Sequence, residues 1–168
     1  ARRKAQRLGL TNITFRTSDI SSLPFDAGSF NAVISRFCLM FLPDVPKAVG
    51  EIARVLQPGG YLAAAVWSAP EKNPYLRIPI DVVKQFTELP PQEPEQPGIF
   101  RLAKPGDLFG IVARAGLNAV ADEEVPGEAW FDSVDDYTRH MMEIAAPLQA
   151  LFAKLSPSQR TGAESEIK

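Results

Sequence analysis

The sequence predicts an α/β domain built on a parallel sheet. Two short, continuously apolar runs, Ala32-Val33-Ile34 and Tyr61 to Trp67, read as strands buried on both faces. An amphipathic helical repeat lies between them, which is the connection that parallel strands require. A helix and a third candidate strand precede them, so the opening order is helix, strand, loop, strand, helix, strand.

Each element has a local signal. Ala1 to Leu8 reads as the last turns of a helix closed by Gly9. Ile13-Thr14-Phe15-Arg16-Thr17 alternates apolar and polar, the mark of a half-covered strand. Ser21 to Asp26 is a loop, and Phe30 to Ser35 is the first buried strand. Asp44 caps the next helix with Pro46 in its first turn. Val45, Val49, Ile52, Val55 and Leu56 recur at helical spacing until Pro58-Gly59-Gly60 stops them. Ile78, Val82, Val83 and Phe86 share one face of a helix over Ile78 to Phe86. Leu89 to Gly98 holds Pro90, Pro91, Pro94 and Pro97, so it reads as a linker or a lid. Pro105 to Ala115 is a helix with Asp107 as N-cap and Gly116 closing it, followed by a strand over Leu117 to Val125. Ser133-Val134-Asp135-Asp136 opens another helix in capping-box style. Leu148, Leu151, Phe152 and Leu155 continue an apolar stripe, and Ser156-Pro157 begins a final helix running to Lys168.

Composition excludes several functions. The 168 residues are 45% hydrophobic and 23% charged, which suits one soluble domain. A net charge of -2 gives no general attraction to nucleic acid or an anionic membrane. No apolar run reaches the ~18 residues of a membrane span, and no signal peptide is visible. Cys38 stands alone, so it forms no intramolecular disulfide and is expected to be a small buried hydrophobe in a cytoplasmic protein. His140 is the single histidine, so no metal site is expected, and His140 itself is read as a surface or core residue before a catalytic one. The chain opens on Ala1 inside a helical pattern, which suggests truncation.

Two segments sit where parallel sheets bind ligands, beyond the carboxyl ends of strands. Asp19 can accept a hydrogen bond from an adenine amino group or a ribose hydroxyl, and Ile20 can pack on a purine ring. The competing reading is a solvated aspartate that caps a turn. Ser35-Arg36-Phe37-Cys38-Leu39-Met40 follows the buried strand, although Phe37, Leu39 and Met40 suit a core equally well. Leu56-Gln57-Pro58-Gly59-Gly60 supplies a sharp turn without catalytic content.

The combination is more specific. Asp19-Ile20-Ser21-Ser22-Leu23-Pro24-Phe25, Ser29 to Ile34, Leu42-Pro43-Asp44 and Glu51 to Gly60 occur in this order at short spacing. It resembles the class I S-adenosylmethionine (SAM)-dependent methyltransferases of the type 11 group, typified by ubiquinone/menaquinone-biosynthesis C-methyltransferases. The likeness covers Ala1 to Trp67, and Pro105 to Val125 is similar to the family's C-terminal part. It implies a Rossmann-like sheet with helices on both faces. It also implies SAM as cofactor, with Asp19 on the adenine amino group, Ile20 on the ring, and Ser35, Arg36 and Phe37 beside the sulfonium and amino-acid end. Trp67 matches a position facing the substrate. Met40 and Phe41 stand where close relatives often carry histidines, which leaves an apolar wall. Tyr75, Phe100, Trp130 and Phe131 are further candidates for the substrate pocket, under a cover spanning Ala69 to Arg101.

One family feature is absent. None of the eleven glycines has the Gly-x-Gly spacing of the turn that holds the methionine end of SAM. The resemblance therefore implies a partial domain lacking its first two strands, with a sheet part at 1–68, a lid or linker at 69–104 and a C-terminal part at 105–168. The expected function is methyl transfer to a small-molecule acceptor, inactive or incomplete in this chain, with no catalytic residue assigned. An unpaired sheet edge would favour a homo-oligomer or strand-swapped dimer. The alternatives are a non-catalytic interaction module on a degenerate methyltransferase fold and an NAD(P)-dependent Rossmann oxidoreductase. The second lacks a Tyr-x-x-x-Lys pair and a dinucleotide fingerprint.

Overall fold

Two strands and seven α-helices make up the described residues, 1–88, 95–118, 121–144 and 146–167, in a computed structural model of the chain. In chain order they are α1 (Arg2–Arg7), β1 (Phe30–Arg36), α2 (Val45–Val55), β2 (Leu56–Ala65), α3 (Pro74–Phe86), α4 (Asp107–Arg114), α5 (Val134–Ile144), α6 (Ala146–Phe152) and α7 (Pro157–Ile167). Short 3-10 turns lie at Leu39–Phe41 and Pro70–Lys72.

The β1–α2–β2 unit forms for the local reasons read from the sequence. Asp44 Oδ1 accepts a hydrogen bond from the Lys47 N–H at 2.9 Å, closing the N-terminus of α2, and Pro46 occupies its first turn. Val45, Ala48, Val49, Ile52 and Val55 bury one stripe. The strands run parallel, in register from Ala32 opposite Tyr61 to Arg36 opposite Ala65. Between the pairs Phe30–Leu56 and Ala32–Tyr61 the register shifts, and Gln57-Pro58-Gly59-Gly60 takes up the excess. The helix thus ends at Val55, and Pro58-Gly59-Gly60 lies inside β2 instead of preceding it. A Cβ on Gly60 would come within 2.9 Å of the Gln57 carbonyl oxygen and 3.0 Å of that of Asn31, so only glycine lets the strands approach there.

Burial on the sheet alternates, contrary to the expectation of strands covered on both faces. Val33, Leu62 and Ala64 pack against the cluster under α2, with Ser35 buried on the same side. Ile34 (80% exposed) and Tyr61 (73% exposed) point the other way. Among the described residues no helix covers that second face, so the period-two alternation of a half-covered sheet replaces continuous burial. Ile13 to Thr17 is not a strand, because a strand needs a ladder partner and the described sheet pairs β1 with β2 alone. The segment is held instead by Arg2, whose guanidinium donates to the Phe15 carbonyl at 2.8 Å and lies over the Phe15 ring.

Other expectations shift in detail. Residues 117–118 and 121–125 are not strand, while 119–120 lie outside the described residues. The proline-rich candidate lid falls largely on 89–94, also outside them. The chain that follows is anchored: the Gly98 N–H donates to the Met40 carbonyl at 3.0 Å, and the buried Arg101 guanidinium donates to the carbonyls of Leu42 and Pro43. α3 begins at Pro74 and buries Leu76, Pro79, Val82 and Val83, leaving Ile78 outside. Gly106, in a left-handed conformation, caps α4, so Asp107 lies inside its first turn; Gly116 closes it as read. Cys38 is exposed because it sits on the turn leaving β1 and not in the strand.

Two cores result. Leu39, Met40, Val45, Val49, Ile52, Leu56 and Leu102 pack beneath the sheet, with Leu108, Ile111 and Val112 of α4 against them. Leu76, Val82, Val83, Met141, Leu148, Phe152, Leu155, Ala163 and Ile167 form the second, between α3, α5, α6 and α7. Trp67 packs against both.

Candidate functional site

The carboxyl end of β1 is where the sequence placed a ligand. The ladder ends there because Phe37 turns left-handed (φ 51°), a conformation rare for a bulky residue and held only when its surroundings enforce it. Its N–H still donates to the Ala65 carbonyl at 2.9 Å. Its ring stacks on Trp67, with centroids 4.2 Å apart and planes 8° from parallel. Ser35, two residues earlier, is 8% exposed, and its hydroxyl has no hydrogen-bond partner among the described residues. Buried polar groups are normally satisfied, so this hydroxyl is an exception in need of a partner. Arg36 is exposed, with its guanidinium over the Phe37 ring.

Asp19 and Ile20 lie in the segment between α1 and β1. Ile20, like Phe37, packs against the buried cluster that contains Leu39 and Met40. Asp19 is exposed and closes a turn: its Oδ1 accepts from the Ser21 N–H at 2.8 Å, and its carbonyl accepts from Ser22. Its Oδ2 has no hydrogen bond among the described residues.

A strap fixes the loop that follows. Glu51 of α2 accepts from the Leu23 N–H at 2.9 Å. Arg54 donates to the carbonyls of Leu23 (3.0 Å) and Phe25 (2.9 Å), and to both Glu51 oxygens at 2.8 Å. The hydrogen bond from Arg54, then that from Leu23, holds the Glu51 carboxyl down at about 2, and Glu51 in turn raises Arg54. The folded form binds this proton more weakly than the unfolded chain, so the strap stabilises the fold above the usual 4.5 and loses that effect as pH falls toward 2. In urea denaturation followed by circular dichroism, Glu51→Gln should show a shallower loss of stability than the wild type across that window.

Beyond Trp67 the rings continue into the helical half. Tyr75 lies 6.4 Å from Trp67, and Phe131 stacks on Tyr75 at 6.1 Å and 11°. The Tyr137 hydroxyl donates to the Tyr75 carbonyl at 2.7 Å, and Tyr75 Oη shares a 2.9 Å hydrogen bond with His140 Nε2. Burial raises both phenols, Tyr137 to about 12 with the help of nearby Tyr75, so both keep their protons at neutral pH. Neither Tyr137 nor the bond to His140 was foreseen. The available signal was the spacing of three between them, which puts both on one face of α5.

The fold therefore gathers Ile20, Phe37, Met40 and Trp67 into one packed cluster, with Ser35 and Tyr75 beside it. Met40 is fully buried, so its side chain packs the core, and a ligand reaches it only if that packing opens. Asp19 and Arg36 face solvent. Among the described residues no group of histidine, cysteine or carboxylate side chains is placed to hold a metal ion, and no helix is long and apolar enough to cross a membrane.

Residues 1–64 match the profile of a family described as a methyltransferase domain. Over that segment the chain is similar to known methyltransferases. A demethylmenaquinone methyltransferase of Thermus thermophilus is 41% identical over 75 residues, 45% of this chain and 34% of that protein. One from Renibacterium salmoninarum is 39% identical over 67 residues, 40% of this chain and 28% of that protein. An uncharacterized methyltransferase, YcgJ of Bacillus subtilis, is 39% identical over 67 residues, covering 40% and 26% of the two chains. The match thus spans about a third of the first of these relatives and less of the other two.

The polar groups of this segment include hydrogen-bonding atoms open to a ligand. Among the described residues Ser35 offers a buried hydroxyl without a partner and Asp19 a carboxylate oxygen without one, while Ile20 packs against the core.

Proposed function

We propose that this chain forms the adenosine-side wall of a SAM-dependent methyltransferase acting on a small-molecule acceptor. One observation carries the reading: Ile20 and Phe37 pack against the same buried core beneath the sheet, and the Ser35 hydroxyl at the carboxyl end of β1 is buried without a partner among the described residues. When bound, SAM supplies a methyl group on a sulfonium that is already a good leaving group. The protein then has to align the acceptor and exclude water. Asp19 accepts from the adenine amino group through its remaining oxygen, Ile20 packs on the ring, and the Phe37–Trp67 stack closes one side against solvent. Trp67 and Tyr75 face the acceptor, and Met40 backs that wall from within the core. With no Gly-x-Gly turn among its eleven glycines, the chain alone binds weakly and does not turn over. The exposed, unpaired thiol of Cys38 fits a reducing compartment such as the cytoplasm.

Calorimetric titration with S-adenosylhomocysteine should give weak, saturable binding. Asp19→Ala should weaken it by about tenfold, the loss of one hydrogen bond to a charged group. NADH should give no saturable heat. If the wild type and Asp19→Ala both stay silent at millimolar ligand, the reading is wrong.

A second reading has its own support. The open face of the sheet carries Ile34 and Tyr61, and each strand has only one partner among the described residues. Such faces and edges associate. We therefore propose self-association through this sheet. Sedimentation velocity should show dimers or larger species that revert to monomer in Ile34→Lys; a wild type that is monomeric at high concentration overturns it.

A further inference from the structure

We propose that the depression between the 130–132 segment and the outer face of α5 binds a small organic cation, a quaternary or protonated amine. The cavity is about 330 Å³, enough for a molecule of that class. Trp130 and Phe131 form its aromatic wall. Trp130 is 86% exposed, an unusual place for the largest side chain, and an open indole face attracts cations through its quadrupole. Phe131 is fixed behind it by stacking on Tyr75 and contact with Tyr137.

Charge supplies the second half of the recognition. Asp132 and Glu143 line the cavity, and among the described residues neither takes part in an ion pair. Asp136 also lines it but is neutralised by Arg139. The hollow therefore keeps an excess of negative charge around an aromatic surface. His140 is held at its inner side by the hydrogen bond to Tyr75, so the wall formed by α5 is tied to α3. A bare metal ion is the wrong occupant, because these carboxylates do not converge into a set that could ligate one. A diffuse cation of a few heavy atoms can instead touch the indole with one side and the carboxylates with another. This hollow shares no residue with the Asp19 turn or the end of β1, although Phe131 and His140 in its lining touch Tyr75.

The test uses choline and its uncharged isostere 3,3-dimethylbutan-1-ol as probes. Two-dimensional NMR of the 168-residue chain follows the backbone amides of residues 130–143. Choline should produce saturable shifts there in the millimolar range, and the neutral alcohol should bind about tenfold more weakly. Trp130→Ala should lower choline affinity by about tenfold while leaving the melting temperature unchanged, since the ring is exposed. Asp132→Asn combined with Glu143→Gln should weaken it by about fivefold at low salt. The proposal is overturned if the alcohol binds as well as choline, if Trp130→Ala keeps full affinity, if Mg²⁺ at equal ionic strength displaces choline, or if choline gives no saturable shift.

Discussion

Replacing Phe152 with alanine is expected to lower the unfolding free energy by about 3–5 kcal/mol. The side chain is 0% exposed and sits where α3, α5, α6 and α7 converge, packed with Leu76, Val83, Leu148 and Ala163. Removing the ring loses its transfer free energy and leaves a cavity that four helices cannot close without moving their backbones. Retreat of the helix end is also restricted, because the Phe152 carbonyl accepts from the Arg160 guanidinium at 3.1 Å and so ties α6 to α7. Against a typical total of about 5–15 kcal/mol, a loss of this size brings the helical half close to unfolding at room temperature. Urea denaturation followed by far-ultraviolet circular dichroism measures it. Val125→Ala is the matched control: Val125 is 85% exposed, so the change should stay within about 0.5 kcal/mol. Equal effects at the two positions would mean that the four-helix cluster is not the core described above.

Comparison of particular elements shows what a sequence can disclose and what it withholds. α2 was readable because its signals are local: a cap three residues from its partner, a proline in the first turn and an apolar stripe at helical spacing. α5 was readable for the same reason, since Ser133 Oγ accepts from the Asp136 N–H at 3.1 Å. Strand coverage is a different kind of property. Whether Ile34 or Tyr61 is buried depends on what lies across the sheet, and apolar character in the run does not encode that. The segment from Ile13 to Thr17 has the alternation of a strand, but alternation describes faces, and a strand also needs an edge to pair with.

The site divides along the same line. Asp19 was readable both as a ligand contact and as a turn cap; the structure shows the cap, made by one carboxylate oxygen, and the ligand contact is left to the proposal above. Ser35 could be named from its position after a strand, but its lack of a partner is visible only when its neighbours are placed. Met40 and Phe37 are both apolar and three residues apart. The left-handed turn at Phe37 sends one ring to Trp67, while the following 3-10 turn sends Met40 inward, and no composition rule distinguishes them. The bond between Tyr75 and His140 joins residues 65 apart and is fully tertiary.

Trp67 is the side chain on which the two halves depend, and Trp67→Ala should cost about 3 kcal/mol. Its ring packs against both hydrophobic clusters, so truncation removes apolar contact from the sheet core and from the helical core at once. It also removes the stack that holds Phe37, whose left-handed backbone depends on surrounding packing to persist. Two consequences should be separable. Stability should fall, as measured by urea denaturation, and the midpoints reported by Phe37-side and Tyr75-side probes should diverge, because the two clusters lose their shared residue. Trp67→Phe keeps an aromatic face for Phe37 and should recover about half the loss. If Trp67→Ala unfolds in one transition with wild-type cooperativity, the clusters are coupled through other contacts. In that case the path from the end of β1 through Trp67 to Tyr75 does not transmit packing from the candidate site to the helices.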